Sequence, residues 1–101
     1  MDHIGVQKNA DGSVTIEVGG RFDFSTHAQF RAAYESDVVR GARIKVDLRK
    51  VDYLDSAALG MLLLLREQAG RTTDRIVLQV ASKDVLNILK VASFDQLFDL
   101  R

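Results

Sequence analysis

The 101-residue sequence contains no cysteine, no proline and no tryptophan. Without cysteine, disulfides and thiolate metal sites are excluded, and the chain suits a reducing compartment. Without proline, and with no low-complexity stretch, nothing reads as a linker between domains. An excess of either charge is also missing: 14 Lys and Arg face 14 Asp and Glu. A neutral chain does not grip nucleic acid or anionic lipid by bulk charge, so neither is an expected partner. The longest unbroken apolar run, Met61–Leu65, falls far short of the ~20 residues that cross a bilayer. The first residues, "MDHIGVQKNADGS", have no basic start followed by an apolar stretch, so no signal peptide is expected and the expected location is the cytoplasm.

What is present is enough apolar material for a core. Apolar residues make up 47% of the chain, which argues against a disordered chain and fits one domain over residues 1–101. "NADGS" at 9–13 carries Asp11-Gly12, a hairpin signal. Ile4 and Val6 alternate with polar residues before it, and Val14, Ile16 and Val18 after it. These predict a hairpin with one buried face, its second strand ending at Gly19-Gly20. Ser25 or Thr26 can cap a first helix, in which Phe30, Ala33, Tyr34 and Val38 recur at helical spacing until "RGAR" breaks it.

Further along, "IKVDL" at 44–48 predicts a strand with Ile44, Val46 and Leu48 inward. A helix is predicted from about 56 to 69, stopped at Gly70. "DRIVLQVA" at 74–81 predicts the next strand, and "SKDVLNILKVA" at 82–92 a helix capped by Ser82, with Val85, Leu86 and Leu89 on one face. The tail "SFDQLFDL" fits a short helix or an edge strand, the helical turn being favoured. Strands that alternate with helices require parallel crossovers. The expected fold is therefore α/β, a mixed sheet of four or five strands covered by helices.

A search for catalytic patterns yields little. His3 and His27 belong to no metal spacing, and no nucleophile elbow, Walker loop or dinucleotide loop is present. Asp47, Asp52 and Asp55 lie close in sequence, an arrangement more often a solvated loop than a cation site. No metal, no cofactor and no catalytic residue are expected.

Two features stand out in "DSAALGMLLLL" at 55–65. Either Asp55 or Ser56 can cap the helix, a role worth ~1 kcal/mol. Ser56 can alternatively carry a phosphate, because the open N–H groups and dipole at a helix start favour an anion. Along the helix, Ala58, Met61, Leu62, Leu65 and Ala69 share one face, while Gly60 and Glu67 lie opposite with Leu63 and Leu64 beside them. Leu63 and Leu64 then form either an exposed docking strip next to Ser56 or part of a helix buried all round. Ala57, Gly60, Leu63 and Leu64 are the candidate docking residues.

"VDLRKVDYLDSAALGMLLLL" resembles the signature of the STAS domain family, the bacterial anti-sigma factor antagonists. That pattern is a strand with an aspartate, a short link, then Asp-Ser-Ser-Gly-Leu-Gly and an apolar helix. The chain supplies Val46-Asp47-Leu48, Asp55-Ser56 and Leu59-Gly60 at matching spacing. "GGRFDFST" resembles the family's Gly-x-Leu-Asp segment with Phe22 for Leu, and "FDQLFDL" its C-terminal segment. The sequence departs from the pattern at Ala57 and Ala58, where the family commonly has Ser or Thr and then Gly.

The resemblance implies a non-enzymatic switch. The unmodified antagonist binds an anti-sigma factor or switch serine kinase and releases a sigma factor. Phosphorylation of the motif serine, here Ser56, blocks binding, and a PP2C-type phosphatase restores it. Asp23 matches an acidic residue that the family places close to that serine. Two other functions compete with this one. In the first, the chain is a STAS subunit held stably in a transporter complex without using phosphate. In the second, it is a small enzyme built on Asp23, Asp55 and Ser56, which lacks a histidine or lysine base in the motif.

Overall fold

Asp11 and Gly12 turn the chain back on itself. The Asp11 carboxylate accepts from both the Ser13 N–H and its hydroxyl, and Gly12 takes the positive φ of 87° that the tight turn requires. In this computed structural model, which describes residues 3–36, 39, 41–69 and 76–101, the turn joins β1 (His3–Lys8) to β2 (Val14–Phe22). The two strands pair antiparallel from His3↔Gly19 to Lys8↔Val14. Val14, Ile16 and Val18 are wholly buried, as alternation predicts. The predicted buried face is incomplete on β1, where Ile4 is half-buried and Val6 is 41% exposed. β1 is the sheet's edge strand, with a neighbour on one side only.

β2 does not end at Gly19-Gly20. It continues to Phe22, because both glycines keep pairing with β3 (Ile44–Leu54). The register slips twice there, between Glu17 and Gly19 and between Gly20 and Arg21, and each slip gives β3 one extra residue. Gly20 supplies a φ of 78° at this irregularity. The same slips carry β3 past the predicted boundary at Leu48. They break simple alternation, so that Val51 and Leu54 are buried although Arg49 and Lys50 are both exposed.

Beyond β2 a single 3₁₀ turn, Phe24–Thr26, leads into α1 (His27–Glu35). Asp23 caps this turn, its carboxylate accepting the Ser25 N–H at 3.0 Å, while the predicted Thr26 stands at the N-cap position of α1 without a side-chain capping bond. The Thr26 hydroxyl donates instead to the Asp23 carbonyl at 2.8 Å. Phe30, Ala33 and Tyr34 face the core as their spacing predicts, with the Phe30 ring 5.0 Å from Phe22. Val38 and Arg40 lie outside the described residues.

α2 (Ser56–Gln68) follows β3 closely; its predicted stop, Gly70, also lies outside the described residues. β4 spans Val77–Gln79 and is shorter than the strand predicted over 74–81: Ile76, Val80 and Ala81 lie outside it, and 74–75 lie outside the described residues. α3 (Lys83–Val91) begins with the predicted Ser82 cap, whose hydroxyl accepts the Val85 N–H at 3.3 Å. The tail combines both predicted forms. A 3₁₀ turn, Phe94–Gln96, seats Phe94 and Phe98 in the core, and β5 (Asp99–Leu100) then pairs with β4.

The sheet order is β1-β2-β3-β4-β5, antiparallel at the first pair and parallel at the other three. This is the predicted mixed α/β sheet, with five strands. One hydrophobic cluster gathers inward residues of β2, β3 and β4 together with Phe30, Leu62 and Leu89 from the three helices. The alternate strand positions Thr15, Glu17 and Lys45 stay half-exposed and carry ion pairs such as Lys50–Glu17. Parallel pairing brings the C-terminal ends of β2 and β3 to one edge. Phe22 faces Leu54 as the last pair, and the Asp55 N–H donates to the Phe22 carbonyl at 3.4 Å.

Candidate functional site

Asp23 and Asp55-Ser56 leave these two neighbouring strand ends side by side. Asp55 has extended backbone (φ −113°, ψ −178°), and its carboxylate accepts the Ala58 N–H at 2.9 Å. The capping role therefore belongs to Asp55, worth ~1 kcal/mol, and not to Ser56. Ser56 is the first helical residue and is exposed; among the described residues its hydroxyl makes no side-chain hydrogen bond. The only hydroxyl in the motif is thus left facing outward beside the open N–H groups of a helix start.

Asp23 is engaged on both carboxylate oxygens. Oδ1 accepts from the Ser25 backbone and hydroxyl, and Oδ2 accepts the Arg21 Nε–H at 3.2 Å. The Ser25 hydroxyl, then Arg21, hold its carboxyl below the ordinary carboxylate value. Arg21 in turn lies over the Tyr53 ring, 4.3 Å from its centroid. Neither Asp23 nor Asp55 is hydrogen-bonded to the Ser56 hydroxyl among the described residues, so neither is set to draw its proton.

Asp47, Asp52 and Asp55 do not form one cluster. Asp47 is nearly buried on β3 and receives three bonds from Arg49: the backbone N–H and Nε–H at 3.0 Å to Oδ1, and the terminal N–H at 2.9 Å to Oδ2. Among the described residues no three His, Asp or Glu side chains stand close enough to hold a metal ion. The guanidinium beside Asp47 holds its carboxyl below the ordinary aspartate value of 3.8. A depressed folded value means stabilisation that is complete above the unfolded value and is lost as pH falls through the folded one. Asp47→Asn should accordingly lower unfolding free energy by about 1 kcal/mol at pH 7, since Arg49 is largely exposed. Urea titrations should show that difference closing once the pH drops below 3.8.

α2 presents two faces. Ala58, Met61, Leu62 and Leu65 are buried, whereas Leu63 and Leu64 are 39% and 48% exposed. Of the two predicted possibilities for these leucines, the exposed strip is the one found. Ala57 and Gly60 beside it are half-buried, and a Cβ added at Gly60 would meet nothing within 4 Å. No internal packing requires a glycine there, and a glycine inside a helix costs roughly 0.5–1 kcal/mol relative to alanine.

Sequence reading missed two exposed residues near the strand ends. Phe24 is 72% exposed and stacks on His27, their centroids 5.8 Å apart. Alternation with buried Phe22 would have turned it inward, but the strand ends at Phe22 and the Asp23 turn swings Phe24 out. From His27 a groove of about 250 Å³ runs between α1 and α2 to Leu64, past Arg31 and Glu67. The other missed residue is Arg21, which only the β2–β3 register sets against Tyr53. Its signal was the Gly19-Gly20 pair, had it been read as an irregularity rather than a stop.

A mixed five-stranded domain with an uncommitted serine where a parallel strand meets its helix defines a class of small α/β modules. Comparison with known proteins identifies the family. The model described as "Mlab, STAS domain" matches residues 6–100, and the chain belongs to the STAS domain family. The STAS-domain containing protein PA14_20770 of Pseudomonas aeruginosa (strain UCBPP-PA14) is 50% identical over 93 residues, covering 91% of this chain and 92% of that one.

Solved structures share the fold. An anti-sigma factor antagonist from Mycobacterium paratuberculosis superposes with a TM-score of 0.80 at 20% identity, over 99% of this chain and 85% of that one. The anti-sigma factor antagonist SpoIIAA in its unphosphorylated form gives 0.74 at 18% identity, over 98% and 87%. The phosphorylated form of the Bacillus cell fate determinant SpoIIAA gives 0.72 at 17%, over 98% and 91%. Among the described residues no helix is long and apolar enough to cross a membrane.

Proposed function

We propose that the chain is an anti-sigma factor antagonist in a cytoplasmic partner-switching circuit, and that Ser56 is its phospho-acceptor. The unmodified form docks an anti-sigma factor or switch kinase on Ala57, Gly60, Leu63 and Leu64, which releases a sigma factor. The observation that carries this reading is the exposed Ser56 hydroxyl, relieved of capping by Asp55 and set beside an exposed apolar strip. The fold shared with SpoIIAA, a protein solved in both phosphorylation states, supports it.

In the switch, the Ser56 oxygen bonds to the γ-phosphorus of ATP and the bond to the β-phosphate oxygen breaks. ADP leaves, and the hydroxyl proton passes to a base on the kinase. A PP2C-type phosphatase reverses this: water attacks the phosphorus, the Oγ–P bond breaks, and phosphate departs as the serine regains its proton. The chain is thus a binding module and a substrate rather than an enzyme. The helix start accepts the dianion without refolding. A partner, by contrast, would have to strip that dianion of water, at a cost of several kcal/mol unless it offers a cation.

The acceptor is tested by intact mass after incubation with ATP and the kinase. One phosphate should appear on the wild type and none on Ser56→Ala; equal labelling of both would refute the assignment. The docking face makes a second prediction. Gly60→Ala should raise stability by roughly 0.5–1 kcal/mol, because the helix gains and nothing clashes. The same methyl should weaken partner binding about tenfold by blocking close approach. A variant that gains stability and keeps full affinity would remove Gly60 from the interface.

A further inference from the structure

The two edges of the sheet are not alike. β5, at one edge, is a two-residue strand, Asp99–Leu100. β1, at the other, runs six residues, His3–Lys8, with no register slip against β2 and no proline. A regular edge of that length is a template for another strand. Its open groups follow from the ladder. The Asn9 N–H donates to the Ser13 carbonyl at 2.8 Å, and bonded pairs alternate along an antiparallel pair of strands. In the β1–β2 register the residues bonded to β2 are therefore Gln7, Gly5 and His3. Ile4, Val6 and Lys8 turn their N–H and C=O groups to the open edge.

The same three residues carry the apolar side of that edge. Val6 is 41% exposed and Ile4 half-buried. With Lys8 they line one wall of a groove of about 540 Å³, whose other wall is Gln29, Ala32 and Ser36 on the α1 side. Gly5 adds an independent observation. A Cβ there would meet nothing within 4 Å, and its φ is not positive. Nothing within the domain calls for glycine in mid-strand, where it weakens the strand. Such a glycine often marks the close approach of another backbone.

β1 is complementary to itself. When two copies run antiparallel with Gly5 facing Gly5, outward residues meet outward residues. Ile4 pairs with Val6 of the second copy, and Val6 with its Ile4, as hydrogen-bonded pairs with apolar side chains on the groove side. The next pair sets Lys8 against position 2, an aspartate in the sequence, so opposite charges close each end. Moving the axis to Val6 would set Ile4 against Lys8, and moving it to Ile4 would set Val6 against the aspartate. The register centred on Gly5 matches apolar with apolar and charge with countercharge. With 14 charges of each sign, the chain also carries no net charge to repel its own copy.

We propose that the chain forms a twofold dimer through β1, which joins two sheets into one across Gly5 and covers each groove with the other copy's Ile4 and Val6. None of Ser56, Ala57, Gly60, Leu63 and Leu64 lines that groove, so the dimer presents two switch faces. It stands whether or not Ser56 is the acceptor. The seam is one strand wide, smaller than the ~1,600 Å² of a standard stable interface, so the dimer forms in a concentration-dependent way.

Sedimentation velocity of the full chain, from low micromolar to millimolar, should show a shift from the chain mass to twice that mass. Val6→Lys places a charge on the exposed edge and should stay monomeric throughout. The chain has no cysteine, so Gly5→Cys introduces a single thiol. At the axis the two Cα atoms of a non-bonded pair stand about 4.5 Å apart, within disulfide reach. Mild oxidation should link most of this variant into dimers. Gln7→Cys should not link, because its two copies lie roughly 14 Å apart along the strands. Urea titration checks that each variant is folded. A wild type that stays monomeric at every concentration would overturn the dimer. A dimer that survives Val6→Lys, or a disulfide that forms as readily at position 7 as at position 5, would overturn β1 as its seam.

Discussion

Ser56→Asp should fold as well as the wild type and bind its anti-sigma partner at least a hundredfold more weakly. The first half follows from position. Ser56 is exposed at the first residue of α2, and its hydroxyl caps nothing. A carboxylate in the first turn of a helix is favourable by about 0.3–1 kcal/mol, so the thermal midpoint should hold or rise slightly. The second half follows from what surrounds it. On the proposed reading, docking on Leu63 and Leu64 would gain from burying their exposed surface at ~25 cal/mol per Å². A charge fixed beside that surface must be dehydrated on contact, and a loss of ~2.7 kcal/mol already amounts to a hundredfold. Thermal unfolding and a binding titration on the same sample read both halves. A stable membrane-ATPase complex indifferent to Ser56→Asp would favour the transporter-subunit reading instead.

Two leucines of α2, Leu62 and Leu64, should give opposite results when truncated. Leu62 is wholly buried in the cluster that joins the sheet to the helices, whereas Leu63 and Leu64 are exposed. Leu62→Ala removes core contacts and leaves a cavity, at a cost of about 2–5 kcal/mol. Against a total of about 5–15 kcal/mol for a domain, that is a large share. The thermal midpoint should fall by about 10 °C or more. Leu64→Ala should change stability by less than ~0.5 kcal/mol, as surface substitutions do, but lower partner affinity about tenfold. The paired measurement is denaturant unfolding and partner affinity for each variant. A large stability loss in Leu64→Ala, or none in Leu62→Ala, would show that the two faces of α2 have been assigned the wrong way round.

The helices were legible because their apolar spacing has one period and their caps are local. Phe30, Ala33 and Tyr34 on α1, and Val85 and Leu89 on α3, are buried where spacing puts them. The strands were legible only while alternation lasted. Beyond Leu48 the two register slips re-phase β3, and a period of two no longer finds Val51 and Leu54. Gly19-Gly20 misled for the same reason: a glycine pair marks a stop or an irregularity equally well, and the partner strand decides which. Of the residues predicted to cap α1, Thr26 holds the position without the bond, because its hydroxyl turns back to the Asp23 carbonyl, and Asp23 caps the 3₁₀ turn ahead of the helix.

At the site, the placement of Ser56 at the mouth of α2 was legible from spacing. The capping role was not, since Asp55 and Ser56 are both good caps. Nor could the exposure of Leu63 and Leu64 be read, because it depends on what covers that face of α2. The nearness of Arg21 to Tyr53 is a matter of pairing between strands more than thirty residues apart in sequence, which no local pattern encodes.

The most direct measurement is a calorimetric titration of the anti-sigma factor with two forms of the chain, unmodified and phosphorylated at Ser56. The unmodified form should bind one to one and tightly. The phosphorylated form, equally folded, should bind at least a hundredfold more weakly or not measurably. Equal affinity of the two forms would contradict the idea that charge at the mouth of α2 decides whether a partner can sit there.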